Sequence, residues 1–340
     1  MVDPKVAPAL LSLMAAALIA GGCATAPREA SLTSWCVLAV EEEAGTFAIL
    51  DPQGRLLRRL SVGERPHEVE VAPTGNTAFV SQFGIADYDN RIGTPGDRIV
   101  EVDLARGDVT QVFMLPDDVR GPHGVKLRPP DFSELFTNAE VGGDTMLVFD
   151  IDSHELLRRF PLPALTHNFV FSADGTALFS FAGANGVSKI SATTGEILAR
   201  RDLGTPVRGL FVTTAGTLLA SARGEIAELR ASDLSVMRRL SAPRPGQYVY
   251  LEQNAKGAIA APSLNDSGIA LFPSDGSPAA FINTGKTPIF SRFGPDGAIY
   301  VANVQDDHIS VLSSRGEPIA RLDGLTSPNG LGFGGCPIRF

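Results

Sequence analysis

The sequence has little cysteine, three residues in 340, and no excess of positive charge: the formal net charge is −9. An acidic surface offers no electrostatic footprint for nucleic acid, which excludes that class of partner. Beyond residue 30 no amphipathic helix of useful length interrupts the chain, which excludes helical and α/β architectures. The one long apolar run, Ala9 to Ala20, is too short for a comfortable membrane span. A close metal-ligand pattern such as His-x-Glu-x-His is also missing, so any metal site has to be assembled from distant segments.

What is present is a repeat, and a fixed period decides a fold more firmly than local propensity does. In "ERPHEVEVAPTGNTAFVS" eight residues separate His67 from the turn glycine Gly75. The same offset separates His167 from Gly175, Arg208 from Gly216 and Ile289 from Gly297. His123 in "RGPHGVKLRPP", Gln247 in "GQYVYLEQNAKGAIAAP" and Asn329 in "SPNGLGFGG" complete a set of seven marker positions. The last five lie about 40 residues apart, the period of a four-stranded propeller blade. Within each unit, alternating apolar residues are punctuated by Gly, Pro, Asp and Asn, the signals of short strands. In "FSRFG", "IYVANV", "HISVLSS" and "PIARLDG" the four strands run from the inner to the outermost. The fold class is all-β, a seven-bladed β-propeller.

Closure requires the two ends to share a blade. Residues 34–63 match strands two to four of a unit, and "SPNGLGFGG" supplies an inner strand without partners. Cys36 and Cys336 fall side by side in that shared blade, within the reach of a disulfide. Such a bridge restricts the unfolded chain by roughly 4 to 5 kcal/mol in the chain-entropy account; the alternative is two reduced, buried thiols. The apparent G-x-G-x-x-G at 330–335 precedes no helix and so carries no dinucleotide reading.

The start of the chain, 1–23, has the shape of a secretory signal: Lys5, the apolar run, then small residues before Cys23. A linker, 24–33, leads to a single domain over 34–340. The ending "LIAGGC" resembles a bacterial lipoprotein signal, which implies lipidation at Cys23. Cleavage without lipidation and an uncleaved anchor stay open, and all three export the domain to an oxidising compartment.

The marker residues stand at the entrances of the inner strands, so all seven are expected to ring one mouth of the central channel. His67, His123 and His167 come from consecutive blades and converge, followed by Arg208 and Gln247. The insertion at 83–98 and the loop "TNAEVGGDT", with Glu140, open on the same face. His154 is expected on the opposite face, and His308 is expected to be solvated. Arg-Arg pairs at 58–59, 158–159, 200–201 and 238–239 fall on outermost strands and read as charges that discourage edge pairing. Three chemistries suit the cluster. His67, His123 and His167, with or without Glu140, suit zinc, copper, iron or manganese. Histidine and Glu140 also suit an acid and base pair beside Arg208, whose charge would stabilise an oxyanion. The third is a hydrated mouth with no chemistry.

The unit "GPDGAIYVANVQDDHISVLSS" resembles the YVTN family of bacterial envelope β-propellers over nearly all of residues 35–335. The resemblance implies an exported protein of binding or unassigned function; a monomer is expected, in the periplasm or held to the outer membrane by a lipid anchor at Cys23. "GPHGV…ELFTNAEVGGDTMLVFD" resembles the lactonase and muconate-cyclase propellers, with Glu140 near their glutamate but His123 in place of their arginine. The "GPHG" turn is also similar to streptogramin lyases, which implies a metal-assisted histidine and glutamate site, although their repeated Trp-Phe-Thr is missing and Trp35 is the only tryptophan. These features lead to an exported propeller binding a small ligand or a transition metal at the mouth through His67, His123 and His167, with Gln247 and Asn329 as ligand contacts. The rival readings are a metal-assisted lyase or hydrolase using Glu140 and Arg208, and a scaffold for a protein partner.

Overall fold

The computed structural model describes residues 34–86, 92–182 and 185–338. Within them the chain forms seven antiparallel sheets of four strands each, a seven-bladed β-propeller. The leader, Cys23, the linker and positions 87–91 of the insertion lie outside the described residues. Blades 1 to 6 occupy 66–114, 120–161, 166–202, 209–241, 252–283 and 288–322. Blade 7 is shared: the inner strand Pro328–Gly334 pairs with Cys36–Glu41, followed by Thr46–Leu50 and Leu56–Ser61. The only helical turn among the described residues is Val304–Asp306.

The second strand of each blade is buried on both faces and largely apolar, because both faces meet a neighbour. In Cys36–Glu41 every residue is buried. Its even-numbered side chains Cys36, Leu38 and Val40 pack towards blade 1, while Val37 and Ala39 pack towards blade 6. Seven such apolar layers fill the seven interfaces between blades. Continuous apolar runs are what two-sided burial demands.

Entry to the inner strands is stereotyped. Two places before the marker the backbone is left-handed at Arg65, Gly121, Leu165, Thr287 and Ser327. This turn swings the chain from the outer edge of one blade into the channel, at a cost of about 1 kcal/mol where the residue is not glycine. Carboxylates then tie blade to blade: Glu70 Oε1 accepts from Leu127 N at 3.2 Å, and Glu252 Oε2 accepts from Phe293 N at 2.9 Å. In both cases the acid three places after one marker holds the amide four places after the next.

Blade 5 departs from the pattern, which corrects the placement of Gln247. Its inner strand is only Glu252–Gln253, and the preceding chain makes isolated bridges, Arg223 with Gln247 and Tyr248 with Ser263. Its turn glycine is Gly257, whose amide bonds Asn254 O as Gly75 bonds Ala72 O. Counting back eight places lands on Val249. The irregular stretch 243–251 contains extra residues that similarity alone could not register.

The arginine pairs also differ from a purely solvated edge. Arg59 makes two hydrogen bonds to the buried Glu41, at 2.7 and 3.0 Å, and Arg158 binds Glu134. Arg159 binds Asp118, and Arg238 and Arg239 bind Glu228 and Glu225. Four of these five guanidiniums answer an acid of their own blade, and Asp118 lies in the connection between blades 1 and 2. Cys36 and Cys336 are bridged, with Cα atoms 5.2 Å apart and 300 positions between them in sequence.

Candidate metal centre

His123 is fully buried in the inner strand Arg120–Leu127. Its ring lies between the other two, 4.1 Å from the His67 ring and 4.0 Å from the His167 ring, tilted 41° to each. Phe83 packs edge-on against His123 at 4.7 Å and against His67 at 5.6 Å, which holds the rings from the insertion side. Neither nitrogen of His123 has a hydrogen-bond partner, and Nδ1 of His67 has none. Buried imidazole nitrogens are ordinarily paired, because each one left alone costs about 1 to 3 kcal/mol.

Two carboxylates flank the histidines. Glu140 Oε1 lies 3.1 Å from His167 Nδ1 and 3.9 Å from His123 Nδ1. Glu68 Oε1 lies 3.9 Å from the same atom of His123. Two overlapping donor sets result, His67 with Glu68 and His123, and His123 with Glu140 and His167, each with ligand atoms within 4.8 Å of one another. Burial pushes the His123 imidazole well below its ordinary 6.5, and the neighbouring His167 and His67 push the same way. Burial also lowers His67, against the pull of Glu42 and Glu68. Both rings are therefore neutral at pH 7 and present the lone pairs that a metal ion requires. Imidazole and carboxylate in this ratio suit zinc, copper, iron or manganese.

The surrounding residues fix the cluster in place. Ser81 Oγ accepts from Glu68 N and donates to His123 O at 2.7 Å, coupling the first two histidine strands. Asn138, fully buried, accepts from Gly124 N at 3.0 Å and donates to His167 O at 3.2 Å, coupling the second to the third. Gly124 permits this approach, because a Cβ there would lie 2.7 Å from Asn138 Oδ1 and 2.4 Å from Asn168 Oδ1. Glu68 in turn accepts from Lys126 Nζ at 3.1 Å and from Asn168.

Above the cluster opens a cavity of about 670 Å³, reached by His67, His123, Glu140 and His167 and walled on the far side by Lys286, Ile289 and Gln305. Asn329 lines it too and donates to Glu42 Oε2 at 2.7 Å. Arg208 is placed lower, in a niche of about 50 Å³ with His67 and His167. Gln247 lines neither space; its amide donates to Pro206 O and Tyr248 O. His154 is apart from the cluster, 3.4 Å from Glu101 and packed on Phe113. His308 is 2% exposed rather than solvated, with ring contacts to Asn303, Ser310 and Asp306 O.

No family model matches the sequence, and no curated protein matches it. Solved structures do share the architecture. A functionally unknown protein from Desulfotomaculum acetoxidans DSM 771 superimposes with a TM-score of 0.70 at 12% identity, covering 89% of this chain and 99% of that one. A streptogramin B lyase gives 0.64 at 17% identity, over 79% of this chain and 87% of its own. The hydrazine synthase of Kuenenia stuttgartiensis gives 0.64 at 15%, over 82% and 95%. The likeness is one of fold. The YVTN resemblance is not matched by a family model, and the chemistry of the site has to be argued from its own residues.

Glu68, Ser81, Phe83 and Asn138 were not singled out by sequence. The signal for Glu68 was "PHEVEV", in which an acid directly follows the marker histidine on an inner strand. Ser81 and Asn138 sit on second strands and matter only because neighbouring blades bring them against a histidine-bearing strand.

Proposed function

We propose that this protein is an exported envelope propeller that holds one transition metal ion at the mouth of its channel and binds a small ligand against it. The observation that carries the reading is His123, fully buried with both ring nitrogens unpartnered, between two other histidines and two carboxylates. Dry donors without partners are costly unless an ion supplies the missing contact. His67, His123 and His167 would hold the metal, with Glu140 beside them, and the ion would polarise an oxygen donor entering from the cavity. Export is supported by the leader, by the resemblance of "LIAGGC" to a lipoprotein signal and by a disulfide closing nearly the whole domain.

The test is elemental analysis of protein purified without chelators or a His-tag. Near-stoichiometric transition metal is expected in the wild type and in His154→Ala, and its loss in a His67/His123/His167 triple alanine variant. Equal trace metal in all three would remove the metal and favour a protein-interaction scaffold.

A second reading, a metal-assisted lyase or hydrolase, is favoured by the 670 Å³ cavity, which brings Glu140 and the histidines to a space large enough for substrate. The fold shared with streptogramin B lyase is in keeping with it. Glu140 would act as base. Metal-loaded protein that turns over lactones or lyase substrates, and loses that turnover in Glu140→Gln with its metal retained, would establish the enzyme.

A further inference from the structure

Two donor sets share His123, and they differ in what else their carboxylates touch. Glu68, next to His67 on the inner strand Pro66–Val71, is buried and has both oxygens engaged. Its Oε2 accepts from Lys126 Nζ at 3.1 Å, and its Oε1 accepts from Asn168 Nδ2. Glu140 has no such counter-ion. Among the described residues no lysine or arginine pairs with it, and its buried Oε1 accepts no hydrogen bond while lying 3.1 Å from His167 Nδ1. The two acids also open on different spaces. Glu140 lines the mouth cavity, where the acids Glu42, Glu43, Glu140 and Asp307 outnumber the cations Arg65 and Lys286. Glu68 lines an inner chamber of about 250 Å³, in which Glu68 and Glu70 are balanced by Lys126 and Arg292.

Lys126 stands three places after His123 on the inner strand of blade 2, and its ammonium is 3.9 Å from Glu70 of blade 1. Arg292, three places after Ile289, pairs in the same manner with Glu252 of blade 5, at 4.0 Å. A tie between neighbouring blades accounts for the Glu70 contact and leaves the shorter one, 3.1 Å to Glu68, to be explained. A cation already on a carboxylate works against a second one. Two positive charges a few ångströms apart repel, and away from bulk water that repulsion is only weakly screened. An ion in the set of His67, Glu68 and His123 would meet the ammonium across a single carboxylate. An ion in the set of His123, Glu140 and His167 would meet a carboxylate that no cation has claimed.

We propose that Lys126 is a positioning residue: it occupies Glu68 and thereby keeps the metal ion on the Glu140 side of the histidines, at the mouth and open to its cavity. The inference rests on the metal reading and deepens it. It says which carboxylate serves the ion, why two donor sets take one ion, and what bars the ion from the inner chamber.

The test is zinc affinity, measured on the full chain by competition with a chelator, in the wild type and in Lys126→Gln, Glu68→Gln, Glu140→Gln and the Glu68→Gln/Lys126→Gln double variant. The charges demand opposite signs. Lys126→Gln frees Glu68 and is expected to tighten zinc by about tenfold or more, and Glu68→Gln leaves the ammonium bare and is expected to loosen it by about the same factor. The double variant removes a neutral pair and should return to within about threefold of wild type, whereas Glu140→Gln should lose about tenfold or more. A role in the fold alone would lower affinity in every variant and raise it in none. No gain in Lys126→Gln, or a loss in the double variant as large as in Glu140→Gln, would overturn the proposal. If Lys126→Gln does not fold, the double variant against Glu140→Gln decides. A wild type that takes up no zinc, beside a Lys126→Gln that binds it through Glu68, would overturn the metal reading and leave Lys126 as the residue that keeps an ion out. No zinc in any of the five would overturn both.

Discussion

His123 concentrates the tension in this molecule. An imidazole with no exposed surface and no hydrogen-bond partner is held neutral, its pKa well below 6.5 because burial penalises the charged form. Below about 6.5 the unfolded chain takes up a proton that the folded chain refuses, so the contribution is whole above that value and is lost as pH falls towards the folded pKa. Metal-free wild type should lose stability between pH 7.5 and 5.5 more steeply than His123→Gln, by up to about 1.4 kcal/mol per pH unit. Urea midpoints at four pH values would show it. Parallel curves for the two proteins would mean that His123 is hydrated or already paired.

At the scale of the strand, the propeller is held by contacts that cross between blades. Glu252 bonds the backbone amide of Phe293, and Glu70 that of Leu127, so each acid fixes the next inner strand in register. Glu252→Ala leaves a partly buried N–H without a partner and is expected to cost about 1 to 3 kcal/mol by chemical denaturation, without changing metal content. Asn138→Ala should behave differently. It releases the backbone at Gly124 and His167 together, so metal affinity should fall at least as visibly as stability. A variant destabilised but unaltered in metal affinity would show that Asn138 serves the fold alone. These ties also explain the error at Gln247. Similarity reads a strand by its side chains, whereas the shortened inner strand of blade 5 is set by hydrogen bonds to blade 4 and to its own second strand.

Over the whole molecule, the ring has no free end because the last strand completes the sheet of the first. The blade 7 strand pair and the Cys36–Cys336 bridge close it twice, once by hydrogen bonds and once covalently. Cys336→Ser should lower the melting temperature, with a stability loss of about 2 to 5 kcal/mol, and expose one titratable thiol. A reduced wild type that melts with the variant, and an oxidised one that melts higher, would tie the effect to the bridge. An unchanged thiol count would remove it.

The sequence by itself determined the period, the blade count and the shared seventh blade, and it brought Cys36 within reach of Cys336 while leaving reduced thiols open. A repeat places the same turn and the same apolar alternation at every unit, and the three strands of 34–63 lack the inner strand that only the C-terminal segment supplies. It also determined that His67, His123 and His167 enter the channel side by side, since they hold one position of consecutive blades. Only the tertiary structure decided that His123 is dry and unpartnered, that Glu68, next to His67 on the inner strand of blade 1, comes within 3.9 Å of it, and that His308 is buried among Asn303 and Ser310 rather than solvated. Those properties depend on which side chains of other blades fill the space around a residue. A period specifies where each strand begins and leaves that neighbourhood open.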